Sequence, residues 1–481
     1  MSVRRTVITG GTVISMDDEY GDLPDGAVLI EGNRIIAVAR SANEFTGIDA
    51  EVIDTDGGYI LPGMIDSHRH TWMALLRGTS ADHSLLEFLA STFYGIGSIV
   101  RPEDAAAAST VGALEALDAG VTTIMDCHDC VNSPDHARAD IEALRAVGIR
   151  SVYAYGMQQY DYRPPVFESH GHRLDEAQRL RSEYFTSEDN LSRIAILYSD
   201  FGTVAFADTA AEIRKVRELG ILGASHTGAA TNSILLRGLH ELHHHGLLLP
   251  GHLHIHCPAL DEREWALLAD TGAKVTIAPE TEMQMGMGHP PFRAALDHGL
   301  APAISTDIVC VGSGDLFSQM RLGLQFQRAL DHAATHATGS VPATVQLRVH
   351  DALAWATRNG AAALGLGESI GSLTVGKKAD VIVVKPRMDL VRSSYPAGSV
   401  VLQSTAADVD TVMVDGVIRK RHGHLVGQDL AAVRTRANAA LDRIEKAAAG
   451  LTTHSTEEIR GWFTAAEQTA AANFAEAYKT D

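Results

Sequence analysis

The chain has 481 residues, 40 basic and 60 acidic side chains and a formal net charge of -20. That length accommodates one large α/β domain with a smaller companion and a substantial core. The acidic excess excludes nucleic acid and anionic membrane as simple electrostatic partners. The cysteines, Cys127, Cys130, Cys257 and Cys310, are too sparse for a disulfide framework and fit a reducing compartment. The start MSVRRTVITGGTVISM lacks the apolar stretch of a signal peptide, and no apolar run is long enough to span a bilayer, so a cytoplasmic location is expected.

Residues 1–60 alternate polar and apolar positions between Gly-rich turns, as in TVITGGTVISM and GAVLIEGNRIIAVA, the pattern of short antiparallel strands. From residue 61 short apolar runs alternate with amphipathic helical stretches. YILPGMID, VTTIMD, RSVYAYG, RIAILYS, GILGASH, LHIHC, KVTIA and APAIST read as eight strands, with helices such as PEDAAAASTVGALEALDAG between them. Eight successive βα units predict a (β/α)8 TIM barrel over 61–371. ADVIVVKP and VDTVMVDGVIRK return to β character, so the small β domain is expected to combine 1–60 with 372–428. Residues 429–481 read as a C-terminal helical extension rich in Ala and Glu.

The histidines carry the chemistry. GMIDSHRH puts His68 and His70 two apart at the end of the first strand, where a period of two sends both to one face. His226 ends the fifth strand, His256 the sixth and Asp307 the eighth, and the C-terminal ends of barrel strands are where such folds place their active sites. Any one of these residues is unremarkable alone. Together, at the ends of four strands around one axis, they make an imidazole-and-carboxylate set of the kind zinc or iron accepts. The isolated pair in CHDC does not make a structural zinc site.

LPGMIDSHRH, ALLRGTSADHSLLEFL, LADTGAKVTIAPETEMQMGMG, ISTD and IGSLTVGKKADVIVV, in this order, resemble the amidohydrolase superfamily, and within it the cytosine deaminase and atrazine chlorohydrolase branch. The resemblance implies a barrel with a β-sandwich built from both chain ends, and one divalent metal, zinc or else iron, held by His68, His70, His226 and Asp307. It implies that Asp307 is also the general base and that His256 polarises the substrate. The fourth strand, RIAILYSD, has no lysine to bridge a second metal. A metal of this kind lowers the pKa of bound water toward ~7. The expected partner is a small molecule, and relatives of this branch commonly form homo-oligomers.

Two positions depart from the branch. Where it carries a glutamate three residues after the fifth-strand histidine, this chain has Ala229 in SHTGAATNS; where it carries a histidine after the fourth strand, this chain has Ser199 followed by Asp200. That glutamate returns a proton to the leaving group, and general acid catalysis typically contributes ~10² to 10⁴-fold. Glu280 or Glu282, in TIAPETEMQ, is a candidate replacement; both could equally be solvated loop charges. Trp72 either stacks on a planar substrate or anchors its loop. His128 either contacts substrate or holds a turn. MQMGMG reads as a Met-rich loop at the pocket mouth. The favoured activity is hydrolysis of a C–N or similar carbon–heteroatom bond in a small cyclic nitrogenous compound. A lyase or cyclase on the same metal, and a catalytically inactive metal-binding homologue, remain as alternatives that product mass would separate.

Overall fold

A computed structural model describes residues 4–229, 238–387 and 390–473. At its centre are eight parallel strands in sequential order: Met64–Arg69, Val121–His128, Arg150–Gly156, Ser192–Leu197, Leu222–Thr227, Leu253–His256, Lys274–Ile277 and Ala303–Ile304. The sheet closes just beyond the last strand. Arg69 and Asp307 form a parallel bridge, the Asp307 N–H donates to the His68 carbonyl at 3.0 Å, and the His70 N–H donates to the Asp307 carbonyl at 3.0 Å.

Alternation along the strands explains the packing. Met125 and Cys127, Val152 and Ala154, Ala195 and Leu197, Leu253 and Ile255 each lie two apart on successive strands and share one apolar cluster with Ile65, Ala224 and Ala303. The intervening residues, such as Ile124, Tyr153, Ile194 and Ile196, join a larger cluster with the surrounding helices. Local signals set the helix limits. Pro134–Val147, for example, starts with proline at its first position and stops at Gly148, whose φ of +76° suits a residue without Cβ.

Two further sheets lie outside the barrel. Four strands run in the order Arg34–Ala39, Ala27–Glu31, Arg5–Thr9 and Glu51–Asp54. Seven run in the order His424–Leu425, Val417–Arg421, Val409–Val414, Val381–Val384, Tyr59–Pro62, Thr12–Ile14 and Asp22–Leu23, so both chain ends contribute to one sheet. Ile8, Val28, Ile30, Ile35 and Ile53 from the first sheet meet Val13, Ile60, Val381, Val383 and Met413 from the second in a single core. Arg150, on the third barrel strand, ties barrel to sandwich through bonds of 2.8 and 2.9 Å to Asp380 and 3.0 Å to Asp415. YILPGMID, read above as one strand, is two. Tyr59–Pro62 pairs with Val381–Val384 in the outer sheet, and Met64–Arg69 enters the barrel. Gly63 makes the change at a close approach, since a Cβ there would sit 2.1 Å from Thr122 Oγ1.

The C-terminal helix Leu430–Ala448 packs on Pro102–Asp118, and Thr456–Asn473 packs on the segments Leu85–Phe88 and Leu89–Ile96 of the first βα connection. Among the described residues no helix is long and apolar enough to cross a membrane.

Candidate functional site

Four strand ends deliver the polar cluster. His68 lies within the first barrel strand and His70 directly follows it, His226 is the penultimate residue of the fifth, and His256 closes the sixth. Asp307 follows the short eighth strand. His256 and Asp307 have φ of +75° and +59°, left-handed values that cost a non-glycine residue roughly 1–3 kcal/mol and tend to collect at functional sites.

That turn at His256 also breaks the strand period. GHLHIH suggests three histidines on one face, yet His252 and His254 stack on each other at 4.2 Å and bond Ser225 Oγ at 3.1 Å and Thr227 Oγ1 at 2.9 Å. Only His256 joins the site.

The His68 ring centre lies 4.6 Å from that of His70, 5.2 Å from His226 and 5.4 Å from His256. Asp307 Oδ1 is 2.9 Å from His68 Nε2 and 3.3 Å from His70 Nε2, and its Oδ2 is 3.9 Å from His256 Nε2. The far side of each ring is held. Nδ1 of His70 lies 2.5 Å from Asp129 Oδ2, that of His226 3.0 Å from Asp200 Oδ1, that of His256 3.2 Å from Glu282 Oε1, and that of His68 3.0 Å from Cys127 Sγ. Outer partners on Nδ1 fix ring orientation and leave Nε2 for an ion.

Electrostatics fit a cation. Burial drives His68 down, to about 3, against the pull of Asp307. For His70 burial also lowers the pKa, but Asp129 and Asp307 outweigh it and hold the group well above its ordinary value. His226 is likewise raised, burial losing to Asp200 and Asp129. Burial would raise Asp307; the neighbouring His68, His70 and His256 instead hold it well below the carboxylate range. Ligand atoms of His68, His70 and His226 lie within 4.8 Å of one another, as do those of His68, His256 and Asp307. His68 Nε2 is buried without a well-angled hydrogen-bond partner, the kind of orphan atom that a metal satisfies. Three imidazoles and a carboxylate suit tetrahedral zinc or iron(II).

Beside this cluster opens a cavity. His70, Asp200, His226, His256, Thr281 and Asp307 form its polar wall, and Ala229 faces it from the fifth strand end. Leu85, Phe88, Leu89, Phe93, Met285, Met287, Ile308 and Phe463 supply the apolar remainder.

Several residues singled out from the sequence stand elsewhere. Glu280 belongs to the short helix Pro279–Gln284, not to a solvated loop, and its Oε2 accepts from the Ser313 N–H at 2.8 Å, Ser313 Oγ at 3.0 Å and Gln319 Nε2 at 2.7 Å. Glu282 is buried behind His256 and also accepts from the Ala278 N–H at 2.8 Å. Neither carboxylate lines the cavity, which removes the geometric basis for either as the missing acid. Trp72 is buried outside the cavity wall, with Nε1 donating to Asp129 Oδ2 at 3.2 Å, so it anchors its loop. His128 shares a buried cluster with Asp126 and Asp140, its Nδ1 3.5 Å from Asp140 Oδ2. Burial and the adjacent Asp126 push Asp140 well above the carboxylate range. Ser199 is also turned from the cavity, its N–H and Oγ donating to Glu212 at 3.0 and 2.9 Å. Its neighbour Asp200 faces the site instead. Asp200, named from the sequence only as the neighbour of Ser199, and Phe463 are among the lining residues not given a role there; the alternation of a strand end could have flagged the first, and nothing local flags the second.

Residues 59–419 match the model of the amidohydrolase family. The 5-methylthioadenosine/S-adenosylhomocysteine deaminase of Syntrophobacter fumaroxidans (strain DSM 10017 / MPOB) is 29% identical over 451 residues, covering 91% of this chain and 96% of that protein. The protein of the same description from Bacillus cereus (strain AH820) is 25% identical over 426 residues, covering 86% and 93%. An adenosine deaminase from Xanthomonas campestris with bound zinc superposes with a TM-score of 0.82 at 24% identity, covering 92% of this chain and 99% of that one. Atrazine chlorohydrolase from Arthrobacter aurescens TC1, complexed with zinc, gives 0.78 at 21% identity, covering 91% and 100%.

Proposed function

Since the chain belongs to the amidohydrolase family, we propose that it is a metal-dependent hydrolase that cleaves a C–N or similar carbon–heteroatom bond of a small cyclic nitrogenous compound. The observation that carries this reading is the convergence of His68, His70, His226, His256 and Asp307 beside a largely apolar cavity. Relatives described as deaminases of adenosine-type compounds support an amino-heterocycle as substrate.

In this reading His68, His70, His226 and Asp307 hold one divalent ion, with zinc preferred because related folds carry it and iron(II) as the alternative. The ion when bound supplies Lewis acidity that makes water nucleophilic near neutral pH. Asp307 accepts the proton of the attacking water. His256, its Nδ1 held by Glu282, orients the electrophilic carbon's heteroatom with Nε2. With Ala229 in the wall, Asp307 also returns the proton to the leaving atom, and Asp200 is the second carboxylate on the wall among the described residues.

The test begins with metal content per chain, by elemental mass spectrometry, on protein purified without chelator or nickel affinity. About one zinc or iron is expected. The loaded protein is then offered adenosine, 5-methylthioadenosine and aminotriazines, with ammonia release and product mass as readouts. A product heavier by one water and lighter by ammonia supports hydrolysis. A product of unchanged composition would move the assignment to isomerase or cyclase chemistry.

A further inference from the structure

The apolar half of the cavity is built by chain segments remote from the metal cluster. Leu85, Phe88 and Phe93 come from the first βα connection, Met285 and Met287 from the stretch after the seventh strand, and Phe463 from the C-terminal helix. These belong to one apolar cluster, separate from the barrel core, that also contains Ile444 and Ile459. The helix is fastened beside the cavity by residues in the turn just before Phe463. Ile459, one turn earlier on the same face, is fully buried. The Trp462 ring meets Tyr94 edge-on at 5.6 Å and His454 at 4.6 Å. Phe463 itself is only half-buried, its remaining surface facing the cavity.

We propose that Phe463 and the segment 85–93 form a subsite for an uncharged apolar arm of the substrate, aryl or alkyl, whose polar head lies at His70, His226, His256 and Asp307. The proposal rests on the hydrolase reading above and specifies its substrate. Two observations support it. Head and arm positions lie in one continuous cavity, so a single molecule can span them. Among the described residues lining it there is no lysine or arginine, while Asp200 and Asp307 are both acidic. A phosphate or carboxylate on the arm would lose its hydration among Leu, Phe and Met side chains without a partner. An aromatic or aliphatic arm would instead exchange water for Phe and Met side chains, contacts that favour ring edges and polarisable sulfur.

The test uses the full chain loaded with cobalt(II), whose visible spectrum reports ligands at the metal without turnover. The probes are acetohydroxamic acid, which has a metal-binding head alone, phenylacetohydroxamic acid, which adds an aryl arm, and succinic monohydroxamic acid, which adds a charged one. Phenylacetohydroxamate is expected to bind at least ~10-fold more tightly than acetohydroxamate, and the succinic probe no more tightly than acetohydroxamate. Phe463→Ala should reduce the aryl advantage to about threefold or less while leaving acetohydroxamate affinity unchanged; Phe463→Leu should keep most of it. Phe463→Trp, which keeps an aromatic anchor but fills the space, should weaken the aryl probe alone. An aryl advantage identical in all four proteins, or a charged arm bound as well as the aryl one, would overturn the subsite while leaving the metal site intact. A chain that takes up no cobalt would overturn the hydrolase reading, and the subsite with it.

Discussion

Two sets of histidines occur in this molecule, and their partners differ in kind. At the barrel mouth, His70, His226 and His256 each lean on a carboxylate, Asp129, Asp200 and Glu282. In the outer layers, His252 and His254 lean on hydroxyls of Ser225 and Thr227, and His136 lies between Ser133 Oγ at 2.8 Å and the Val100 carbonyl at 2.9 Å. Burial drives the second set down, His136 to about 4 and His252 to about 3, with nothing charged enough to oppose it. In the first set His70 and His226 are raised in spite of burial. In GHLHIH the imidazole backed by a carboxylate faces the cation site, whereas the two backed by hydroxyls are neutral packing elements. The motif GHLHIH contains both sorts, and only the partner tells them apart.

The largest effect should come from striking the carboxylate that His68, His70 and His256 share. Asp307→Asn removes a ligand and the proposed base together, and turnover should fall by ~10³-fold or more with loss of bound metal; retained turnover would break the distinction. Next, Asp129→Asn should weaken metal affinity ~10 to 100-fold in a chelator competition. Ser225→Ala, beside His252, should leave that affinity within about twofold. Adding a carboxylate where the resembling branch has one, with Ala229→Glu, should raise ammonia release ~10-fold or more if proton return limits the rate. No gain would point to a leaving group that needs little protonation.

The outer histidines answer to pH through stability. Their folded pKa values lie below the ordinary 6.5, so below that pH the unfolded chain takes up protons that the folded chain refuses. Their contribution is intact above pH 6.5 and is lost as pH falls from there toward 3 to 4. The Tm should therefore drop by several degrees between pH 7 and 5, and His136→Gln should make that slope shallower. Smallest of all, Glu280→Gln should change turnover less than ~2-fold, because the residue's partners are Ser313 and Gln319.

The barrel was legible because strands buried on both faces read as short continuous apolar runs, from VTTIMD to APAIST. The convergence of His68, His70, His226 and Asp307 was legible for a related reason, since strand ends of a closed barrel all meet at one mouth. What escaped depended on single backbone angles or on distant packing. The positive φ of His256 overrides the period of two that would group it with His254. Glu280 and Glu282 fall on a helical turn that sends one to Gln319 and the other behind His256. Phe463 reaches the cavity from a helix whose amphipathic pattern announces a buried face and says nothing of its neighbour.

The seam between Arg69 and Asp307 joins the first and last strands through the backbone of His68, His70 and Asp307, the three residues of this seam proposed above as metal ligands. The hoop of strands is thus fastened at the same point where the metal would be held, and an ion there acts as a rivet through the hoop's overlap. Stripping it should slacken more than the chemistry. At a thousandfold excess over its Kd a bound metal adds about 4.1 kcal/mol to folding stability, and its removal should speed amide exchange first at His70 and Asp307, where the ring of strands opens.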